Sequence, residues 1–139
     1  MILADTGFFV ALANPRDTWH GAARDAVASL AAPLVTTWPV LTETCHLLVS
    51  RLGTDAQTRF VASVTRGAVR IFELTPAHLP RVEVLMKKYA ALPMDLADAS
   101  LVLCAEDLGR GEILSTDERD FSTYRWKNRK PFKNLLARR

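Results

Sequence analysis

The chain has 139 residues, 49% apolar and 24% charged. That length suits one domain, and the balance excludes disordered and fibrous classes. A domain this long buries ~65–70% of the surface its unfolded chain exposes, so it folds without disulfide or metal staples. No apolar run approaches the ~20 residues of a membrane span. The N-terminus lacks the basic start and small-residue cleavage pattern of a secretory signal, so a cytoplasmic protein with no membrane partner is expected. Cys45 and Cys104 show no C-x-x-C spacing and lie among Leu and Val, the pattern of reduced, buried thiols.

The formal charge is +3, but it is unevenly spread. The last fifteen residues, RWKNRKPFKNLLARR, hold seven Lys or Arg and no acid, leaving 11 basic against 15 acidic residues elsewhere. An acidic body with a basic tail suits an anionic partner that meets a site carrying carboxylates. A basic tail is equally common as a solubilising end. The chain is expected to be a single domain over 1–139, with the tail 125–139 part of it or appended.

In chain order, Ile2-Leu3-Ala4 reads as a short buried strand interrupted by Asp5. The segment DTWHGAARDAVASLAA places Trp19, Ala22, Ala23, Ala26, Val27 and Leu30 on one helical face. Pro33 ends it, and LVTTW follows as a second strand. Pro39 sits in the first turn of a helix that Gly53 stops. Thr54 to Gln57, TDAQ, has the form of a capping box ahead of Phe60, Val61 and Val64. VRIFEL is a third strand. Thr75 and Pro76 open a helix through Tyr89. MDLADASLVLCAEDLG is apolar nearly all round after Asp98, as a buried helix is, and Gly109 caps it. EILS is a fourth strand, with TDERDF as its exit. Helical crossovers between short buried strands imply an α/β fold with a parallel sheet covered on both faces.

That topology gathers acids. Asp5 lies at the carboxyl end of the first strand and Asp117 just past the end of the fourth. Helices that follow strands begin at the same edge, which brings in Glu43. Helices that lead into strands also begin there, which brings in Asp95 and Asp98. In open α/β sheets chemistry collects at this edge. Each acid alone has a structural role open to it: Asp5 and Asp95 as helix caps, Asp98 as a first-turn acid, Glu43 as a solvated residue, Asp117 as a turn residue. Four segments delivering acids to one edge argue instead for a site. Crowded carboxylates repel unless some take up protons or a divalent cation intervenes. Hard oxygen donors with no convergent His or Cys favour Mg²⁺ or Mn²⁺.

These residues resemble a known family. Asp5 in LADTGFFVAL, Glu43 in LTETCHLL, Asp98 in LADASLVLCAEDLG and Asp117 in ILSTDERDF are similar, in order and spacing, to the PIN domain, and within it to VapC-type ribonuclease toxins. The resemblance implies a three-layer α/β/α fold with a short central parallel sheet. It also implies a Mg²⁺-dependent endoribonuclease, with Mn²⁺ a plausible substitute. Asp5, Glu43, Asp98 and Asp117 would be the catalytic acids, and Asp5, Asp98 and Asp117 the metal ligands. Ser115 would fill the small hydroxyl position before the fourth acid, and Thr6 could orient a carboxylate. An RNA substrate, a cognate antitoxin and a homodimer are implied as partners. Asp95 and Asp120 shadow Asp98 and Asp117 closely enough that either could join the site.

Other chemistries fit less well. A phosphoaspartyl enzyme of the haloacid-dehalogenase sort would place a second acid at position 7, where this chain has glycine. DTGFF has too few glycines for a phosphate or dinucleotide loop. Glu43-x-x-His46 is half of a di-iron motif without its other half. The main rival is a PIN-like module that binds RNA or protein without cutting, and the presence of all four acids argues against such decay.

Overall fold

The computed structural model describes residues 1–136. Strand β1 (Ile2–Ala4) is fully buried and lies at the centre of a five-stranded parallel sheet. On one side it pairs with β2 (Leu34–Thr37), which pairs in turn with β3 (Val69–Phe72). On the other it pairs with β4 (Glu112–Leu114), whose outer neighbour is β7 (Lys133–Asn134). The register sets Leu3 beside both Val35 and Ile113, and Ala4 beside Leu114. The carboxyl ends of the three inner strands β2, β1 and β4 therefore finish at nearly one level.

The connections are helical, as the period-3.6 segments require. Helices α1 (Thr6–Ala13) and α2 (His20–Ser29) join β1 to β2. Helices α3 (Trp38–Leu52) and α4 (Thr54–Thr65) lead to β3. A 3₁₀ turn (Pro76–His78), α5 (Leu79–Lys88) and α6 (Leu96–Leu108) lead to β4. Helix α6 is the central one. Ala99, Leu101, Val102, Cys104 and Ala105 are wholly buried on it, which is why its sequence is apolar almost all round. Gly109, in the left-handed region at φ 68°, ends it. The core joins this helix to Leu3, Phe8, Val40, Leu85, Ile113 and Leu114.

Several local expectations are corrected. Trp38 belongs to α3 rather than to the second strand, because Thr37 already caps the helix by accepting from the Val40 N–H. TDAQ is not a capping box. Gly53, at φ 99°, ends α3 and starts α4 in one residue, so Thr54 lies inside the helix. Helix α2 buries Ala22, Ala23 and Ala26 and leaves Val27 exposed. The helix from Thr75 is split: Thr75 and His78 form a capping box around the 3₁₀ turn, and Pro80 restarts the chain as α5. The exit after β4 is a short helix, α7 (Glu118–Thr123). Cys104 is buried, with its thiol pushed up to about 12 by burial and the Asp107 charge, but Cys45 is only half-buried; both are free.

The basic segment adds structure that no strand pattern announced. Strands β5 (Arg125–Trp126) and β6 (Lys130–Pro131) form an antiparallel hairpin, and β7 extends the main sheet. The last three residues of the tail lie outside the described residues. No helix among the described residues is long and apolar enough to cross a membrane.

Candidate active site

Asp5 continues the ladder of β1 for one more bond, its N–H donating to the Leu114 carbonyl at 3.1 Å, and then turns the chain into α1. It is 6% exposed. One carboxylate oxygen accepts from the Thr6 N–H at 2.7 Å and the other from the Ser115 hydroxyl at 2.9 Å. Burial raises its pKa from 3.8 to about 6; those two hydrogen bonds oppose the rise, and the Glu43 and Asp117 charges add to it. The Thr6 hydroxyl takes no part. Among the described residues it is buried without a hydrogen-bond partner, so Thr6 orients Asp5 through its backbone and not through its side chain.

Ser115 links two of the acids. Its Oγ donates to Asp5 and accepts from the Asp117 N–H at 3.0 Å. Its backbone is gripped by Asn134 of β7: Asn134 Oδ1 accepts from Ser115 N–H at 3.2 Å, and Asn134 Nδ2 donates to the Ser115 carbonyl at 2.8 Å. Asp117 caps α7, accepting from the Asp120 N–H at 3.1 Å, and is half-buried. Burial, and the hydrogen bond and charge of the neighbouring Asp120 carboxyl, hold its pKa above the usual carboxylate value.

Asp98 stands in the first turn of α6, where Asp95 caps the helix by accepting from the Asp98 N–H at 2.8 Å. Its Oδ2 accepts from the hydroxyl of Tyr124 at 2.8 Å. Tyr124 is wholly buried and meets Tyr89 and Phe121 edge-on. Burial, followed by the Asp95 charge, pushes Asp98 up to about 8 despite the Tyr124 bond, and Asp5 and Asp117 add further repulsion. Burial and the Asp98 carboxylate in turn raise the Tyr124 phenol, so it stays a hydrogen-bond donor. Glu43 is half-buried on α3, between the buried Val40 and the half-buried Leu47.

All four predicted acids line one cleft of about 410 Å³, together with Asp17, Asp95, Asp120 and Arg51. Seven carboxylates thus face one cavity with a single guanidinium among its lining residues. Asp95 and Asp120 both lie at the cleft while also serving as cap and near neighbour. The acids do not, however, form a closed cage. Among the described residues no three His, Cys, Asp or Glu side chains are grouped to hold one ion as they stand. Tyr124 engages Asp98, and Asp120 engages Asp117. The donor chemistry nonetheless fits a hard divalent cation: oxygen donors only, with Asp5 and Asp98 each raised first by burial and in part by the charges of neighbouring carboxylates. Tyr124 and Asn134 escaped sequence reasoning, since neither has a local signature. Only the fold brings them to the acids.

A short parallel sheet with acids from four segments at its carboxyl edge defines an α/β protein with a carboxylate-lined cleft. The chain belongs to the PIN domain family, whose model matches residues 2–127. Ribonuclease VapC26 of Mycobacterium tuberculosis (strain ATCC 25618 / H37Rv) is 27% identical over 124 residues, covering 89% of this chain and 92% of that protein. The crystal structure of Mycobacterium tuberculosis VapC20, titled a Sarcin-Ricin loop cleaving toxin, matches with a TM-score of 0.79 and 25% identity, covering 86% of this chain and 92% of that one. The family resemblance carried by the four acid motifs is thereby shown, and so is the α/β fold with a central parallel sheet.

Proposed function

We propose that the protein is a cytoplasmic, divalent-metal-dependent endoribonuclease, the toxin of a toxin–antitoxin pair. The observation that carries this is the single cleft lined by Asp5, Glu43, Asp98 and Asp117 in a PIN fold. The names of its relatives, ribonuclease and toxin, support the substrate class.

Asp5, Asp98 and Asp117 are the residues that would hold Mg²⁺ or Mn²⁺, with Glu43 completing the acidic wall. An ion held there would supply water activation and charge neutralisation at the scissile phosphate. The chain's own residues do the positioning. Ser115 and the Thr6 N–H fix both oxygens of Asp5, and Tyr124 fixes one oxygen of Asp98, which lines the cleft. Burial and the Asp95 charge push Asp98 up to about 8, so a cation held there would compete with its proton. With water as the attacking group and the ribose 3′-oxygen as the leaving group, the P–O3′ bond breaks and the products carry a 5′-phosphate and a 3′-hydroxyl.

A partner antitoxin and a second copy of the chain need apolar surface. Trp38, 56% exposed, and Leu79, 61% exposed, with Val84 and Leu96 offer it. The test is cleavage of RNA with Mg²⁺ or Mn²⁺ by wild type, Asp5→Asn and Asp98→Asn. Both substitutions keep the side-chain shape; Asp98→Asn keeps an acceptor for the Tyr124 hydroxyl, and Asp5→Asn keeps one of its two acceptors and turns the other into a donor. Loss of cleavage in both, with folding intact, supports the assignment; cleavage at the wild-type rate removes it.

A further inference from the structure

We propose that the β5–β6 hairpin is the surface that grips the phosphates of the RNA substrate, apart from the acidic cleft; this rests on the nuclease reading above. The cleft cannot supply the grip by itself. Its seven acids face one arginine, so a polyanion entering it meets repulsion that a bound cation only partly offsets. Affinity for RNA must come from cations elsewhere on the surface.

The segment from Arg125 to Leu136 carries Arg125, Lys127, Arg129, Lys130 and Lys133 and no acid. Lys127, Arg129, Lys130 and Lys133 are exposed, and among the described residues none of these four forms an ion pair. Arg125 is different: its guanidinium donates to the carbonyls of Ser122, Thr123 and Tyr124. The four exposed cations are therefore charge without a protein counterpart.

The hairpin is also built to hold them in place. Lys127 and Asn128 sit at φ 51° and 65°, a left-handed pair that closes the turn with Arg129 N–H donating to the Trp126 carbonyl. Two non-glycine residues there cost roughly 1–2 kcal/mol each. Side-chain bonds to the body offset that cost. Glu106 accepts from the Lys127 N–H at 2.6 Å, and Asn128 Oδ1 accepts from Arg81 at 3.0 Å. Arg81 also makes a two-pronged pair with Glu106, at 3.1 and 2.8 Å, which neutralises the one acid bound to the turn.

Trp126 packs inward against Gly111, where a Cβ would find no room, and donates from its ring to the Pro131 carbonyl. The ammonium groups of Lys127 and Lys130 lie 5.9 and 4.9 Å from the centre of its ring. A buried indole cannot stack on a base, so the contact is with phosphates and is sequence-independent. The turn bonds to Glu106, eight residues along α6 from Asp98, or about 12 Å at the helical rise. An RNA strand in the cleft covers that distance in a few nucleotides.

The experiment compares wild type with the triple variant Lys127→Gln, Arg129→Gln, Lys130→Gln. A control, Arg66→Gln, Arg70→Gln, Lys87→Gln, removes equal charge elsewhere. A fluorescent single-stranded RNA is the probe, with KM and kcat followed from low to high salt. The hairpin variant should raise KM at least tenfold, keep kcat within twofold, and lower the salt slope by about 0.7 per lost phosphate contact. The control should match wild type. If wild type cleaves and the hairpin variant keeps its KM and salt slope, the hairpin proposal fails. The same holds if the control loses as much as the hairpin variant. If the hairpin variant keeps RNA affinity but loses polyglutamate binding, the surface serves an acidic protein and the proposal is overturned. If wild type neither binds nor cleaves RNA, the nuclease reading itself fails.

Discussion

Removing the Ser115 hydroxyl tests the arrangement that holds the candidate site. Ser115 is wholly buried, and its Oγ serves Asp5 and Asp117 at once. In Ser115→Ala the backbone stays clamped by Asn134, so the lost hydroxyl is isolated from any rearrangement of the strand. The Asp117 N–H loses a neutral partner, at about 1 kcal/mol. Asp5 loses a donor to a buried carboxyl, at about 2 kcal/mol when it is ionised and about 1 kcal/mol when it is not. The sign with pH follows from its raised pKa. The native state holds the Asp5 proton more tightly than the unfolded chain, so this group's stabilisation is complete below 3.8 and is lost as pH rises through about 6. The Ser115 bond is the largest influence opposing that rise. Its removal should therefore cost about 2 kcal/mol near pH 5 and about 3 kcal/mol near pH 8. Urea unfolding followed by tryptophan fluorescence, without divalent ions, measures both. Equal costs at the two pH values, or a cost under about 0.5 kcal/mol at the higher one, would refute the reasoning.

Other outcomes are expected from the same geometry. Mg²⁺ or Mn²⁺ should raise Tm more at pH 8 than at pH 6, because Asp5 and Asp98, at about 6 and about 8, must release protons to bind it. Calorimetric titration in two buffers of different ionisation heat should show that release, and identical heats in both would contradict it. Tyr124→Phe keeps the ring packing and removes the bond that lowers Asp98, so the pH dependence of cleavage should move to the alkaline side with about 1–2 kcal/mol of stability lost. An unmoved profile would show that Tyr124 does not govern Asp98. Gly7→Ala should gain about 1 kcal/mol in helix propensity. Its new Cβ collides with the Thr116 hydroxyl, however, so the loop carrying Asp117 must shift. Activity should fall at least tenfold while the helix content by circular dichroism holds; full activity would mean that Thr116 moves without disturbing Asp117.

The acids were legible in the sequence because their placement is local. Asp5 ends a three-residue strand, Asp95 and Asp98 open a helix, Glu43 lies one turn or so past Pro39, and Asp117 follows a strand. A parallel sheet sends all those termini to one edge whatever the details of packing. Stops such as Gly53 and Gly109 were legible for the same reason, since the left-handed backbone is chosen residue by residue. The TDAQ reading failed because Gly53 serves two helices, and a motif of four residues cannot show where its predecessor ends.

What only the tertiary structure decided is who holds the acids. Tyr124 reaches Asp98 across 26 residues, Ser115 reaches Asp5 across 110, and Asn134 reaches Ser115 across 19. The two Ser115 bonds depend on the register of β4 against β1 and β7, and the Tyr124 bond on how the end of α7 packs against α6. The two-residue strand β7 carries no periodicity of its own; it forms where the edge of β4 offers unpaired N–H and C=O groups. Whether the acids cage an ion, and at what pH each ionises, depended likewise on burial and mutual distance, which no linear pattern encodes. Chain order can deliver charges to an edge, but only packing sets how close they stand and which neighbours restrain them.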